Sequence, residues 1–172
     1  MWRLALALLP AMGLVGGVFL VSVGAPTLLA RQFGSPPRQP IAFNHQTHVQ
    51  TVGIECAFCH RSATSSIAAG VPDVQQCIGC HSVIGQGDPE IEKLRQAWVD
   101  QRTVEWRRVH RLPDHTRFSH AAHAQAGVAC ATCHGDVSSM RQVAQVRTLK
   151  MNDCVTCHDE TVAPTECVAC HY

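Results

Sequence analysis

The chain has 172 residues, of which 46% are hydrophobic and 5% aromatic, and its formal net charge at pH 7 is +1. Because acidic and basic residues are dispersed and nearly balanced, the composition indicates neither a nucleic-acid-binding surface nor a polybasic membrane patch. The short chain and its low aromatic content also exclude a large apolar core. Ten cysteines and 11 histidines distinguish the composition, so the chemistry of thiols and imidazoles is the first to consider.

An apolar segment without charged residues extends from Leu4 to Ala30 and has an arginine at each end. As a helix it would be about 40 Å long, which is enough to span a bilayer. A cleaved secretory signal is the alternative, but its apolar region would be shorter and would end in small residues. We therefore expect residues 1–31 to form an uncleaved transmembrane anchor and the proline-rich residues 32–40 to form a linker.

All ten cysteines belong to five Cys-x-x-Cys-His motifs. Disulfides or zinc sites are the usual roles of so many cysteines, but neither requires a histidine after every second cysteine. On a helical turn, the two sulfurs of such a motif can form thioether bonds to one haem edge while the histidine meets the iron. The motifs therefore predict five covalently bound haem c groups. The predicted cofactor-binding cysteines are Cys56, Cys59, Cys77, Cys80, Cys130, Cys133, Cys154, Cys157, Cys167 and Cys170. The predicted proximal iron ligands are His60, His81, His134, His158 and His171.

The region that contains the motifs is internally repeated. A Phe-x-His-x-x-His element followed by Cys-x-x-Cys-His occupies residues 43–60 and, with one residue fewer, residues 118–134. Each copy is followed by a further motif, so the sequence predicts two dihaem units and a separate last haem. The predicted segments are the pentahaem domain at 41–172, dihaem repeats at about 41–88 and 116–160, and the fifth haem at 161–172.

Six histidines outside the motifs remain as candidates for the opposite faces of five irons. In each Phe-x-His-x-x-His element, the spacing puts both rings on one side of a helical turn, from which they could reach two different irons. His110 and His115 lie near several arginines, which indicates either ligation or an exposed stretch that pairs haem propionates. Met151 and Met140 are further candidates, although Met140 also suits core packing. The candidate distal histidines are His45, His48, His120, His123, His110 and His115.

Regular secondary structure is expected to be sparse. Residues 89–100 have apolar side chains at helical spacing, and Asp88 is a candidate N-cap, so this segment predicts one clear helix. Short helical turns are expected to carry the motifs, and Asp73 and Thr165 are placed to cap two of them. The predicted fold is therefore a loop-rich multihaem protein in which a few short α-helices pack around five haems, after one amino-terminal transmembrane helix.

These elements resemble the class III multihaem cytochrome c group, whose small members place Phe-x-His-x-x-His shortly before Cys-x-x-Cys-His. More closely, the succession of Pro40-Ile41-Ala42-Phe43, residues 105–114 and Leu149-Lys150-Met151 looks like the membrane-anchored pentahaem subunit of alternative complex III. The resemblance implies an electron-transfer subunit that is not itself an enzyme. It further implies iron-sulfur and polytopic quinol-oxidising subunits as partners, with a cytochrome c or a terminal oxidase downstream.

Haem is attached to Cys-x-x-Cys-His motifs on the outer face of the energy-conserving membrane. We therefore expect the haem domain on the periplasmic side of the cytoplasmic membrane and no nucleic-acid partner. Two other functions stay open, a free-standing periplasmic carrier that feeds a reductase and a haem reductase with an open iron site. The sequence contains no hydrolase triad, phosphate loop or flavin fingerprint, so its redox chemistry is assigned to the cofactors.

Overall fold

A computed structural model describes residues 35–172. The predicted anchor at residues 1–31 and the beginning of the predicted linker lie outside the described residues. Pro36–Tyr172 forms one compact unit. In this part of the chain, no helix is both long and apolar enough to cross a membrane.

Short α-helices separated by loops make up the described residues. Five of the helices each carry one Cys-x-x-Cys-His motif, which confirms the prediction that helical turns hold the motifs. The α-helices are α1 Cys56–Cys59, α2 Val74–His81, α3 Pro89–Val99, α4 His120–Gln125, α5 Cys130–His134, α6 Met151–Thr161 and α7 Cys167–Cys170. A π-helix lies at Thr47–Thr51, and 3-10 turns lie at Arg61–Thr64 and Val137–Ser139.

Side-chain caps begin two of these helices at the predicted positions. The Asp88 carboxylate accepts hydrogen bonds from two backbone N–H groups in the first turn of α3, the nearer at 2.8 Å. The Asp73 carboxylate accepts one from the backbone N–H of Gln76 in α2, also at 2.8 Å. The predicted cap at Thr165 is wrong, because Glu166 is the N-cap residue of α7 and no side chain caps that helix.

The only buried hydrophobic side chains among residues 35–172 are Leu94 and Ala97, both on α3. The same helix holds the end of α2, since Arg95 donates hydrogen bonds to the carbonyl oxygens of His81 at 2.8 Å and Ile84 at 3.2 Å. Packing of side chains within the chain is thus concentrated where α3 meets α2. Elsewhere the described chain depends on loops and hydrogen bonds.

The two copies of the repeat have equivalent local structures although the first is one residue longer. In the second copy, the backbone N–H of Val128 donates to the carbonyl of His123 at 3.0 Å. In the first copy, the N–H of Ile54 donates to the carbonyl of His48, also at 3.0 Å, across one more residue. The additional residue is accommodated in the π-helix Thr47–Thr51, whose wider turn holds one more residue than an α-helical turn.

The end of the predicted linker is hydrogen bonded to the folded unit, which begins at Pro36. The Gln39 amide donates to the carbonyl of Arg107 at 2.8 Å and accepts from its N–H at 2.9 Å. A few residues later, the backbone N–H of Ala42 donates to the Glu90 carboxylate at 2.7 Å. These contacts fix where the chain enters the motif-bearing region.

Replacing Asp88 with alanine removes the oxygen that caps α3. We expect Asp88→Ala to lower the free energy of unfolding of the haem-loaded protein by about 1 kcal/mol, because N–H groups in the first turn lose their acceptor. Guanidinium denaturation followed by far-UV circular dichroism measures the change. Asp88→Asn is the matched control, since it keeps an acceptor oxygen. An equal decrease in the free energy of unfolding in both variants, or no decrease in either, would contradict the assignment of Asp88 as the N-cap.

Candidate haem-binding sites

The ten cysteines are all free thiols that are exposed or partly exposed. In each motif, the two cysteines lie on one short helix and are separated by about one turn, so both sulfurs project from the same face. No group of three or more histidine, cysteine, aspartate or glutamate side chains converges as a metal site within residues 35–172. The arrangement presents pairs of accessible sulfurs, as attachment of a cofactor through two thioethers requires.

Four of the five predicted proximal histidines share a hydrogen bond to a backbone carbonyl. The Nδ1 atom is 2.7 Å from the carbonyl oxygen in His60, 3.3 Å in His81, 2.6 Å in His158 and 3.3 Å in His171. A ring whose Nδ1–H donates to a carbonyl keeps the lone pair of Nε2 available for a metal. The fifth, His134, has no such bond to a carbonyl of the described residues.

The histidines of the repeated Phe-x-His-x-x-His element are oriented in the same way in both copies. The Nδ1 atoms of His48 and His123 each lie 2.8 Å from the carbonyl oxygen four residues earlier. The Phe43 ring stacks on His48 with centroids 4.3 Å apart, and Phe118 stacks on His123 at 4.6 Å. A hydrogen bond and an aromatic face therefore hold each of these imidazoles.

Histidines from outside the motifs lie opposite four of the proximal histidines. Two imidazoles that bind one metal from opposite sides, each at about 2.0 Å, have ring centres about 6 Å apart. The observed centroid distances are 6.0 Å for His48–His81, 6.0 Å for His123–His158, 6.3 Å for His120–His134 and 5.5 Å for His115–His171. Each pair therefore has nearly the spacing that two axial ligands of one iron need.

His45 lies close to the proximal histidine of its own copy, His60. Burial, together with the nearby His60 and His48, lowers the pKa of His45 to about 4. Its Nδ1 atom is buried and has no hydrogen-bond partner. The low pKa keeps the ring neutral at pH 7, which is the form that binds iron. The equivalent histidine of the second copy is His120, which faces the proximal ring of that copy.

The remaining candidates are placed differently. The ring centroid of His110 lies only 4.5 Å from that of His134, which is too close for opposite sides of one metal. Met151 is the first residue of α6 and is 70% exposed. Met140 is half-buried in the loop before α6. Of the four candidates left open for the last distal position, His115 is thus the one that lies opposite a proximal ring at ligand spacing.

Thr116 and Arg117, at the start of the second repeat, contact the last motif. Thr116 and His171 form an isolated antiparallel β-bridge. The N–H of Arg117 donates to the carbonyl of Cys170 at 2.8 Å, and its guanidinium lies 4.4 Å from the ring centre of Tyr172. Sequence analysis missed this role of Arg117, because pairing between residues so far apart in the chain leaves no local pattern.

Thiols of different motifs approach one another in a single succession. Burial raises the pKa of Cys56, and the nearby Cys130 thiol raises it further. Burial likewise raises the pKa of three other thiols, each with a smaller effect from a cysteine of another motif. The neighbouring cysteines are Cys77 and Cys59, Cys56 and Cys130, Cys133 and Cys157, and Cys154 and Cys170.

Apolar side chains beside the motifs are left uncovered by protein. Phe58 within the first motif is 54% exposed, and Val168 within the fifth is 76% exposed. Val83 after the second motif is 72% exposed, and Val162 after the fourth is 94% exposed. An apolar group bound at these motifs could cover such side chains. Paired thiols, facing imidazoles and uncovered apolar surface together fit covalently bound haem.

Comparison with known proteins agrees with this fit. Residues 25–106 match the class III cytochrome C family, and residues 116–172 match cytochrome c7 and related cytochrome c. A relative from Nitratidesulfovibrio vulgaris Hildenborough, the multiheme cytochrome c subunit of menaquinone reductase, is 30% identical across 80% of this chain and 78% of its own length. The chain therefore belongs to the class III multihaem cytochromes c, electron-transfer proteins that bind haem c covalently.

Proposed function

We propose that this cytochrome binds five haem c groups and is the electron-transfer subunit of a membrane-bound, quinone-linked oxidoreductase. The observation that carries the proposal is the pairing of imidazoles, since proximal rings lie 5.5 to 6.3 Å from rings outside the motifs. Haem iron, when bound, supplies reversible one-electron chemistry. The protein supplies the sulfurs that attach each group and the two imidazoles that hold its iron.

The proposed ligand set gives every iron two histidines. Four pairs follow from the ring distances, and the fifth follows from the repeat, because His45 corresponds to His120. The proposed pairs are His60 with His45, His81 with His48, His134 with His120, His158 with His123, and His171 with His115. An iron with both axial positions filled has no place for a substrate, so the ligand set supports electron transfer rather than catalysis at a haem.

The chain's own contacts orient these ligands. Carbonyl oxygens accept from Nδ1 and thereby point Nε2 away from the local backbone. The rings of Phe43 and Phe118 cover one face of His48 and His123 and exclude water from it. Bis-histidine ligation gives lower reduction potentials than histidine–methionine ligation. The structure therefore supports a set of low-potential haems.

The neighbouring thiols support an unbranched order of the haems, namely the second motif, then the first, third, fourth and fifth. The junction between the repeats lies at Cys56 and Cys130. The same junction is tied by the backbone N–H of His120, which donates to the carbonyl of Ile67 at 3.1 Å. Electrons that enter at one end of this order would cross from one repeat to the other between the first and third motifs.

We propose that residues 1–31 anchor the protein in the cytoplasmic membrane and that the haem domain faces the periplasm. The uncharged apolar segment from Leu4 to Ala30 supports the anchor. The proposed partners are iron-sulfur and polytopic membrane subunits, with a cytochrome c or terminal oxidase as the next acceptor. The resemblance of residues 40–43, 105–114 and 149–151 to the pentahaem subunit of alternative complex III supports this assignment.

A second candidate differs in the direction of electron flow. The resemblance to alternative complex III supports electrons that leave a quinol and pass outward through the haems. The relative that is 30% identical is named as a subunit of a menaquinone reductase, which favours haems that deliver electrons to a menaquinone. The haem-binding residues serve equally in either direction, so the electron donor distinguishes the two candidates.

Replacing His123 with methionine would substitute a thioether for the imidazole that faces His158. We expect His123→Met to raise the potential of one haem by on the order of 0.1 V, within the range of about 0.8 V that axial ligands span. Spectroelectrochemical titration of the purified protein measures this shift. Met140→Leu is the control and is expected to leave all haem potentials unchanged. An unaltered titration of the histidine variant with all haems still attached would contradict the proposed ligand pair.

Extraction of native membranes in mild detergent tests the proposed complex. We expect the cytochrome to co-purify in fixed stoichiometry with iron-sulfur and polytopic membrane subunits, and its haems to exchange electrons with added menaquinol or menaquinone. The isolated cytochrome, treated identically, is expected to react slowly with either. Reduction by menaquinol supports the first direction, and oxidation by menaquinone supports the second. A solitary, shortened cytochrome would instead indicate a free-standing periplasmic carrier.

A further inference from the structure

His134 differs from the other proximal histidines in how its ring is held. In the other four, a backbone carbonyl lies 2.6 to 3.3 Å from Nδ1 and restricts rotation of the ring. No carbonyl of the described residues takes this place at His134. An imidazole attached to iron by one nitrogen can rotate about that bond, so the plane of His134 requires another restraint.

His110 occupies the position from which such a restraint could act. Its ring packs edge to face against His134, with centroids 4.5 Å apart and planes at 88°. Aromatic rings favour this geometry, and it is directional. The Nε2 atom of His110 is buried and has no hydrogen-bond partner.

The place opposite His134 is taken by another ring. The His120 ring lies 6.3 Å from His134, and the two planes differ by only 6°. Six histidines outside the motifs are available for five irons, and the proposed pairs use all of them except His110. The remaining histidine therefore contacts a ligand without being one.

Contacts on either side of His110 fix its position. The backbone of Arg107 is paired with the Gln39 amide through two hydrogen bonds at 2.8 and 2.9 Å. On the other side, the Arg111 guanidinium forms an ion pair with Asp114 at 3.2 Å. This stretch has no regular secondary structure. The backbone before His110 is held at Arg107 by Gln39, and after His110 the chain forms the local ion pair between Arg111 and Asp114.

We propose that His110 is a positioning residue that fixes the plane of the His134 ring parallel to that of His120 at the third motif. The inference rests on the proposed ligand set. The angle between two axial imidazole planes sets the splitting of the iron d orbitals and hence the low-spin ferric EPR spectrum. Contacts to a ligand from outside the coordination sphere also tune the metal. Because the third motif lies at the junction of the repeats, the reduction potential of the haem bound there would affect electron transfer between the repeats.

The test compares His110→Ala with His110→Phe in the haem-loaded full chain. Alanine removes the packed ring, so we expect one of the five ferric low-spin EPR signals to shift and the potential of one haem to change, with all haems retained. Phenylalanine keeps an edge-to-face ring of similar size and is expected to restore both. Met140→Leu is the control, since Met140 lies outside the 107–114 segment, and we expect no shift.

Three results would overturn the inference. Unchanged EPR signals in His110→Ala would show that His134 is oriented without His110. A high-spin signal or a lost haem in that variant would make His110 an iron ligand. Failure of His110→Phe to restore the signal would show that ring packing is not the restraint. Fewer than five haems in the unsubstituted protein would instead contradict the proposed function on which the inference rests.

Discussion

The described chain buries almost none of its own side chains, and the fold therefore depends on what its cysteines and histidines bind. Leu94 and Ala97 are the only buried hydrophobic residues within 35–172. Burial of two such residues cannot by itself offset the conformational entropy that is lost when a chain of this length is ordered. Haem faces held by thioethers and axial imidazoles are the apolar surfaces that can replace the missing core.

Hydrogen bonds to histidine Nδ1 connect this constraint to function. Each such bond uses a carbonyl that a short helix or a loop places near the ring, as at His60 and His158. The same bond to the carbonyl four residues earlier is kept in both repeats at His48 and His123, and the additional residue of the first copy is accommodated in the π-helix Thr47–Thr51. Local backbone geometry thus leaves Nε2 of these rings free of the backbone, as iron ligation would require.

Local patterns predicted local structure well. The five motifs lie on helical turns, and Asp88 and Asp73 cap their helices, because these features depend on residues only a few positions apart. Thr165 was predicted one residue too early for the N-cap of α7. The approach of His115 to His171 and the order of the motifs in space depend on contacts such as the bridge at Thr116, which no short-range spacing encodes.

We propose that the cysteines and the facing imidazoles hold five haems in one electron-transfer domain. Intact-mass spectrometry of denatured protein from native membranes tests it most directly, because thioether-linked haem stays on the chain after unfolding. We expect the measured mass to equal that of the polypeptide plus five haems. A mass with four haems or fewer, or one reduced by two hydrogens for each disulfide, would contradict it.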